Sequence, residues 1–178
     1  MNNKNTINTR ELVRDALLAA LLLVIQISLA WIPNVELVSL LLILYTLVYR
    51  KHVWIILYVF VVLEGFFYGF GLWWFSYLYV WAILVGFTFL MSKYTVPGPY
   101  GTALLSGIFG LLFGLLCAAS YFVTGGLGAA IAWWIAGIPF DVVHGISNFI
   151  ITLVLFKPLH RMLMTLKRME DSYWDSSL

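Results

Sequence analysis

Charged side chains are scarce in this sequence: 10 Lys and Arg with 8 Asp and Glu make up 10% of 178 residues, against about 25% in an average soluble domain. Too few polar groups remain to cover a water-soluble surface, and no basic face is left for nucleic acid. A disordered chain is excluded from the other direction, since 63% of the residues are hydrophobic and disorder needs low hydrophobicity. Cysteine is almost missing. The single Cys117 excludes a disulfide framework and any zinc site built on several cysteines. No GxxxxGK(S/T) loop is present to bind and hydrolyse ATP, and neither HExxH nor GxSxG occurs. No cofactor is expected.

What is present is apolar sequence in long runs, with a mean hydropathy of +0.98. A membrane helix takes about 20 mainly apolar residues. Residues 16–32, 53–70, 72–91, 101–123 and 139–156 come close to that length, and 35–49 is shorter but carries LVSLLLILYTLVY. Pro33-Asn34 closes the first run with a helix-breaking, turn-favouring pair, so the first two spans should form a tight hairpin. Residues 126–137 (GLGAAIAWWIAG) are too short to cross and have glycine at both ends. They are expected as a short helical segment in the last external loop. The polar start leads through Arg10, Glu11, Arg14 and Asp15 straight into apolar sequence without a small-residue cleavage site, so the first helix is expected to remain rather than leave as a signal peptide. The expected architecture is an all-α integral membrane protein of six transmembrane helices, one membrane domain over 1–178 with tails at 1–9 and 158–178.

Basic residues set the orientation. Lys4, Arg10 and Arg14 precede the first span, Arg50 and Lys51 separate the second from the third, and Lys93 separates the fourth from the fifth. Lys157, Arg161, Lys167 and Arg168 follow the sixth, so all 10 fall on one side of a six-span arrangement. The positive-inside rule then puts both termini in the cytoplasm.

Five acids, Glu11, Asp15, Glu170, Asp171 and Asp175, accompany those basic groups. Glu36, Glu64 and Asp141 do not: they fall in the outer half of three different spans, with no Lys or Arg on that side. An ionisable group at such depth is costly and usually faces a cavity or a partner. Asp141, His144 and Asn148 are spaced i, i+3, i+7 and share one helix face. Glu64 and Tyr68 share another, and Asn34, Trp73, Trp74 and Trp133 sit in or beside external connections. An aromatic belt accounts for tryptophans at an interface; it does not account for acids, a histidine and two asparagines together. These ten residues are the candidate substrate site, with helix–helix hydrogen bonding as the plainer explanation of the polar stripe. His144 with Ser147 is a weak base–nucleophile pair without an oxyanion donor, and Glu36, Glu64, Asp141 and His144 are chemically suited to a cation; no metal is assigned.

Small residues mark close helix contacts. Ser106, Gly110, Gly114 and Ala118 recur every fourth residue on the fifth span, a ridge for packing inside the protein. Ala16 and Ala20 form a similar pair near the cytoplasmic end of the first span, with Ala19 beside them.

The ALLAA segment of the first span, the IPNVELVSLLLILYTLV hairpin and the final GIPFDVVHGISNFIITLVLFKPL resemble the S components of energy-coupling factor (ECF) vitamin importers. The resemblance runs over about residues 10–160 and is carried by diffuse pattern rather than invariant residues. It implies a vitamin bound near the extracellular face, between the outer loops and the last three helices. It also implies that Ala16 and Ala20 dock on a transmembrane coupling protein driven by two cytoplasmic ATPase subunits, in the plasma membrane of a prokaryote. Cobalt and nickel members carry His beside the initiator Met; Asn2 stands there in this chain, which argues against a metal-transporting role.

Three outer acids without a basic partner disfavour a carboxylate-bearing vitamin. A neutral or cationic ligand with a flat ring, or a large amide-rich one, suits tryptophans and carboxylates better. Cobalamin is favoured slightly over vitamin B6, hydroxymethylpyrimidine and a queuosine precursor. The alternative is an intramembrane enzyme or a standalone structural membrane protein using His144 and Asp141.

Overall fold

The computed structural model describes residues 8–94 and 98–175. The N-terminal stretch with Asn2 and Lys4, and the last three residues of the C-terminal tail, lie outside them. Among the described residues there is helix and turn but no strand.

Helix α1 (Thr9–Leu29) starts at a reciprocal cap: the Asn8 side chain accepts the Arg10 N–H at 3.3 Å, and Glu11 accepts the Asn8 N–H at 3.0 Å. It ends before Pro33, where Asn34 takes a left-handed conformation with φ 59°. Helix α2 (Val38–Tyr49) is only 12 residues long, and all but Leu47 are buried. A helix apolar all round belongs in a core, and α2 is that core, touching α1, α3, α4 and α5. A 3-10 turn (Arg50–His52) with Arg50 at φ 55° reverses the chain into α3 (Val53–Tyr68). Helix α4 (Leu72–Tyr94) follows, and then α5 (Pro99–Asp175), which Gly126 divides. At φ 74° Gly126 occupies a conformation that side chains disfavour, and the helix folds back on itself there.

Side-chain contacts set the relative directions of neighbouring rods. Trp74 Nε1 donates to Val61 O at 2.8 Å and Trp54 stacks on Phe89 at 6.3 Å, so α3 and α4 are antiparallel neighbours. Ser76 to Ser120 (2.9 Å) with Tyr79 to Leu116 O (2.8 Å) shows the same for α4 and the first arm of α5. The two arms of α5 approach closely where glycine allows it. A Cβ on Gly110 would lie 2.8 Å from the backbone of His144 and Gly145, and one on Gly114 would run into the Asp141 carboxyl group. Ser106, Gly110, Gly114 and Ala118 are all buried, so the small-residue ridge packs within the protein.

Alternating directions bring both ends of the described chain together. Arg14 bonds Glu170 at 3.0 Å and Asp15 at 2.8 Å; His52 Nδ1 lies 2.8 Å from Asp15, and Lys167 donates to Val48 O at 2.9 Å. The basic residues among the described residues lie towards this end.

By length and composition four stretches are apolar enough to cross a membrane: Thr9–Leu29, Val38–Tyr68, Leu72–Tyr94 and Pro99–Tyr173. The second is broken at Arg50 and the fourth at Gly126, which leaves six helical rods. Two expectations are modified. The first two rods are neighbours, but α1 lies mainly against α3. Residues 126–137 are helical yet form no separate loop segment. They open the second arm of α5, which runs on through Pro139 and Pro158 to Asp175, so the tail expected from 158 is helical too. Pro139 and Pro158 are helix-breaking residues by sequence, yet the arm continues through both, and the reversal lies at Gly126 instead.

Forcing a side chain between the arms tests this packing. Gly110→Ala should lower stability by about 1–3 kcal/mol, the usual cost of overpacking a filled core. Gly86→Ala is the control: nothing lies within 4 Å of its Cβ position, and alanine favours helix by up to about 1 kcal/mol. Thermal unfolding in detergent micelles should separate the two; equal melting temperatures would mean that the arms do not touch at Gly110.

Candidate ligand-binding site

At the end of the bundle away from Arg14 and Glu170 lies a cavity of about 560 Å³, within the range of about 300–1,000 Å³ that small ligands occupy. The end of α1 and the following turn supply Gln26, Pro33, Asn34 and Glu36; α3 supplies Glu64 and Tyr68. Trp73, Tyr77 and Trp81 come from α4, and Phe113 and His144 from the two arms of α5. A second cavity of about 340 Å³ shares Asn34 and Phe113 with the first and adds Trp133 and Asp141. Neither lining includes Lys or Arg.

The three acids have separate environments. Glu36 uses both oxygens: Oε2 accepts the Ser39 N–H at 2.8 Å, capping the first turn of α2, and Oε1 lies 3.2 Å from His144 Nε2. That contact joins the first connection to the last helix, and Phe113 packs edge-on against the imidazole at 5.0 Å. Asp141 accepts the Gly114 N–H at 2.9 Å through Oδ1, a bond available because no side chain intervenes at Gly114. Glu64 is 2% exposed, and its Oε1 has no hydrogen-bond partner.

Of the ten sequence candidates, Asn34, Glu36, Glu64, Tyr68, Trp73 and His144 meet in the first cavity. Trp133 and Asp141 meet Asn34 in the second. The remaining two have other partners. Trp74 spends its indole N–H on Val61 O and packs against Phe70 at 5.1 Å, while Asn148 donates to Ser39 Oγ at 3.2 Å and joins α5 to α2. For Asn148 the stripe is helix–helix bonding. Sequence reasoning missed Gln26, Tyr77, Trp81 and Phe113. Two signals were there: Gln26 is a lone amide in an apolar run, and Trp73, Tyr77 and Trp81 recur every fourth residue. Their rings form a ladder, with centroids 5.1 Å and 5.6 Å apart.

The Ser147 hydroxyl donates to the carbonyls of Asn34 (2.9 Å) and His144 (3.0 Å), not to the imidazole. Among the described residues no three His, Cys, Asp or Glu side chains converge as metal ligands. On α1, Asp15, Ala19 and Leu22 face inward, Ala16 is exposed and Ala20 half-buried. The chain matches no protein-family model, no curated protein and no solved structure.

If Glu36 and His144 act as a pair, their removal is not additive. Glu36→Gln, His144→Gln and the double variant should give a coupling of about 0.5–3 kcal/mol in unfolding free energy. Additive losses would mean that the two side chains stabilise the bundle separately.

Proposed function

We propose that this protein is the substrate-binding S component of an ECF-type vitamin importer in a prokaryotic plasma membrane. It crosses the bilayer six times, keeps both termini in the cytoplasm, and opens its larger cavity to the outside. One observation carries this reading: a ligand-sized, aromatic-walled cavity with a buried, unpaired carboxyl group lies at one end of the bundle, and the basic residues gather at the other. Basic residues favour the cytoplasmic side, so the cavity end faces outward.

Binding is the chain's task, and the energy comes from partners. A transmembrane coupling protein and two cytoplasmic ATPase subunits supply what a chain without an ATP-binding loop lacks. Ala16, exposed on α1, and Ala20, half-buried one turn on, give the coupling protein a surface that permits close backbone approach. The rest of the apolar exterior meets lipid. The ligand is a neutral or cationic B vitamin, since no Lys or Arg lines the cavity to hold a carboxylate and its one imidazole, His144, already faces Glu36. A volume of about 560 Å³ favours the smaller candidates (vitamin B6, hydroxymethylpyrimidine, a queuosine precursor) over cobalamin. The Ser147 hydroxyl is directed at the carbonyls of Asn34 and His144 rather than at the imidazole, which disfavours a Ser147–His144 base–nucleophile pair.

Purification of the tagged protein from its native membrane should bring down a membrane partner and ATPases; a chain that purifies alone and turns over a substrate would overturn the reading. Ala16→Trp or Ala20→Trp should abolish uptake while ligand binding by the isolated subunit persists. Equal loss of binding would assign the pair to internal packing. Orientation has its own test. Trp31, 78% exposed at the cavity end, should react as Trp31→Cys with an impermeant maleimide added outside intact cells, and labelling only after lysis would invert the topology.

A further inference from the structure

Two of the cavity's side chains are almost fully buried and each keeps an unpaired polar atom. Glu64 and Trp81 are both 2% exposed, and neither Glu64 Oε1 nor Trp81 Nε1 has a hydrogen-bond partner. Gln26, lining the same space, leaves its Oε1 unpaired as well. Buried polar groups are nearly always satisfied in folded proteins; among the described residues eight such side-chain atoms lack a partner, and the three that line this one cavity are the candidates for bonding an occupant. Of the other acids, Glu36 is engaged through both oxygens by His144 and Ser39, and Asp141 through Oδ1 by Gly114, its unpaired Oδ2 belonging to the second cavity rather than this one.

Chemistry restricts what fits. An indole N–H only donates and a carboxylate only accepts, whereas the Gln26 amide does both. The occupant therefore presents a donor to Glu64 and an acceptor to Trp81 on one rigid body. Trp73, Tyr77 and Trp81, each edge-to-face with the next, surround that body with aromatic faces and edges, against which a flat ring packs either stacked or edge-on. We propose that the ligand is an amino-substituted planar nitrogen heterocycle, its amino N–H bonded to Glu64 and its ring nitrogen or carbonyl bonded to the Trp81 indole. Gln26 takes the remaining donor or acceptor on the ring edge. One or two fused rings suit a cavity of about 560 Å³. This ligand class rests on the transport-subunit reading above and makes Glu64, rather than Glu36 or Asp141, the acid that selects substrate.

Titration calorimetry of the full chain in lipid nanodiscs tests it with four probes. Two belong to the class, 4-amino-5-hydroxymethyl-2-methylpyrimidine and 7-cyano-7-deazaguanine; pyridoxine and cobalamin do not. At least one of the first two should bind about tenfold more tightly than either of the others. Glu64→Gln, which keeps shape and removes charge, should weaken that binding at least about fivefold, and Trp81→Phe likewise. Melting curves confirm that each variant is folded; should Trp81→Phe not fold, Glu64→Gln alone decides. Tighter binding of pyridoxine or cobalamin, no binding of either amino heterocycle, or wild-type affinity in Glu64→Gln overturns the proposal. Recovery of the membrane partner and ATPases in the same preparation separates the two levels. With partners present, failure of the amino heterocycles overturns the ligand class alone; with partners absent and all four probes silent, the transport reading falls with it.

Discussion

The near-contact between the two arms of α5 is the constraint on which the site depends. At Gly110 the arms approach so closely that a methyl group would meet the backbone of His144 and Gly145, and at Gly114 the Asp141 carboxyl group fills the space a side chain would take. Small residues permit such approach in a bilayer, where hydrophobic burial does not drive helices together. The consequence is positional. The turn of α5 pressed against Gly110 is the one that carries His144 to Glu36, and Phe113 on the first arm packs against that imidazole. Widening the gap would pull His144 off Glu36 and the wall off the cavity together.

Three acids in an apolar bundle look alike in sequence, and the structure gives each a different task. Glu36 stabilises the start of α2, where the first backbone N–H groups lack helical partners. Asp141 does something comparable across the α5 hairpin by accepting an N–H from Gly114, a donor already within a helix. Both therefore hold helices in place. Glu64 caps nothing and pairs with no base. It lines the larger cavity without joining two helices, which sets it apart from Glu36 and from the bonded Oδ1 of Asp141.

Legibility followed the contrast of each residue with its surroundings. Glu36, Glu64 and His144 stood out because ionisable groups are rare in apolar runs, and they do line one cavity. The ridge at Ser106, Gly110, Gly114 and Ala118 stood out by its period, and it is buried. Tyr77 and Trp81 did not stand out, since an aromatic inside an aromatic-rich span resembles any core side chain; only their spacing from Trp73 distinguished them. Trp74 and Asn148 were conspicuous for the same reasons as the true lining residues. What separates them is the direction of a single hydrogen bond, to Val61 O and to Ser39 Oγ, and that depends on neighbouring helices no local pattern encodes. The turn at Gly126 was hidden differently. Two glycine-bounded ends invited a loop segment over 126–137, whereas one positive φ at Gly126 completes the reversal and leaves the rest helical.

The two ends of the bundle differ in how firmly they are held, and the difference bears on how such a subunit would work. At one end Asp15, fully buried, is bonded by Arg14 and His52, Arg14 also holds Glu170, and Lys167 reaches Val48 O. This network ties α1, the α2–α3 turn and the end of α5 to one another, and because the ion pairs are partly buried, salt screens them less than it would exposed pairs. At the other end the first connection is held to α5 by Glu36–His144 and by Ser147 to Asn34 O. Both bonds involve residues flanking or lining the larger cavity, so a ligand that engages Asn34 or His144 acts on the bonds that fix the first connection.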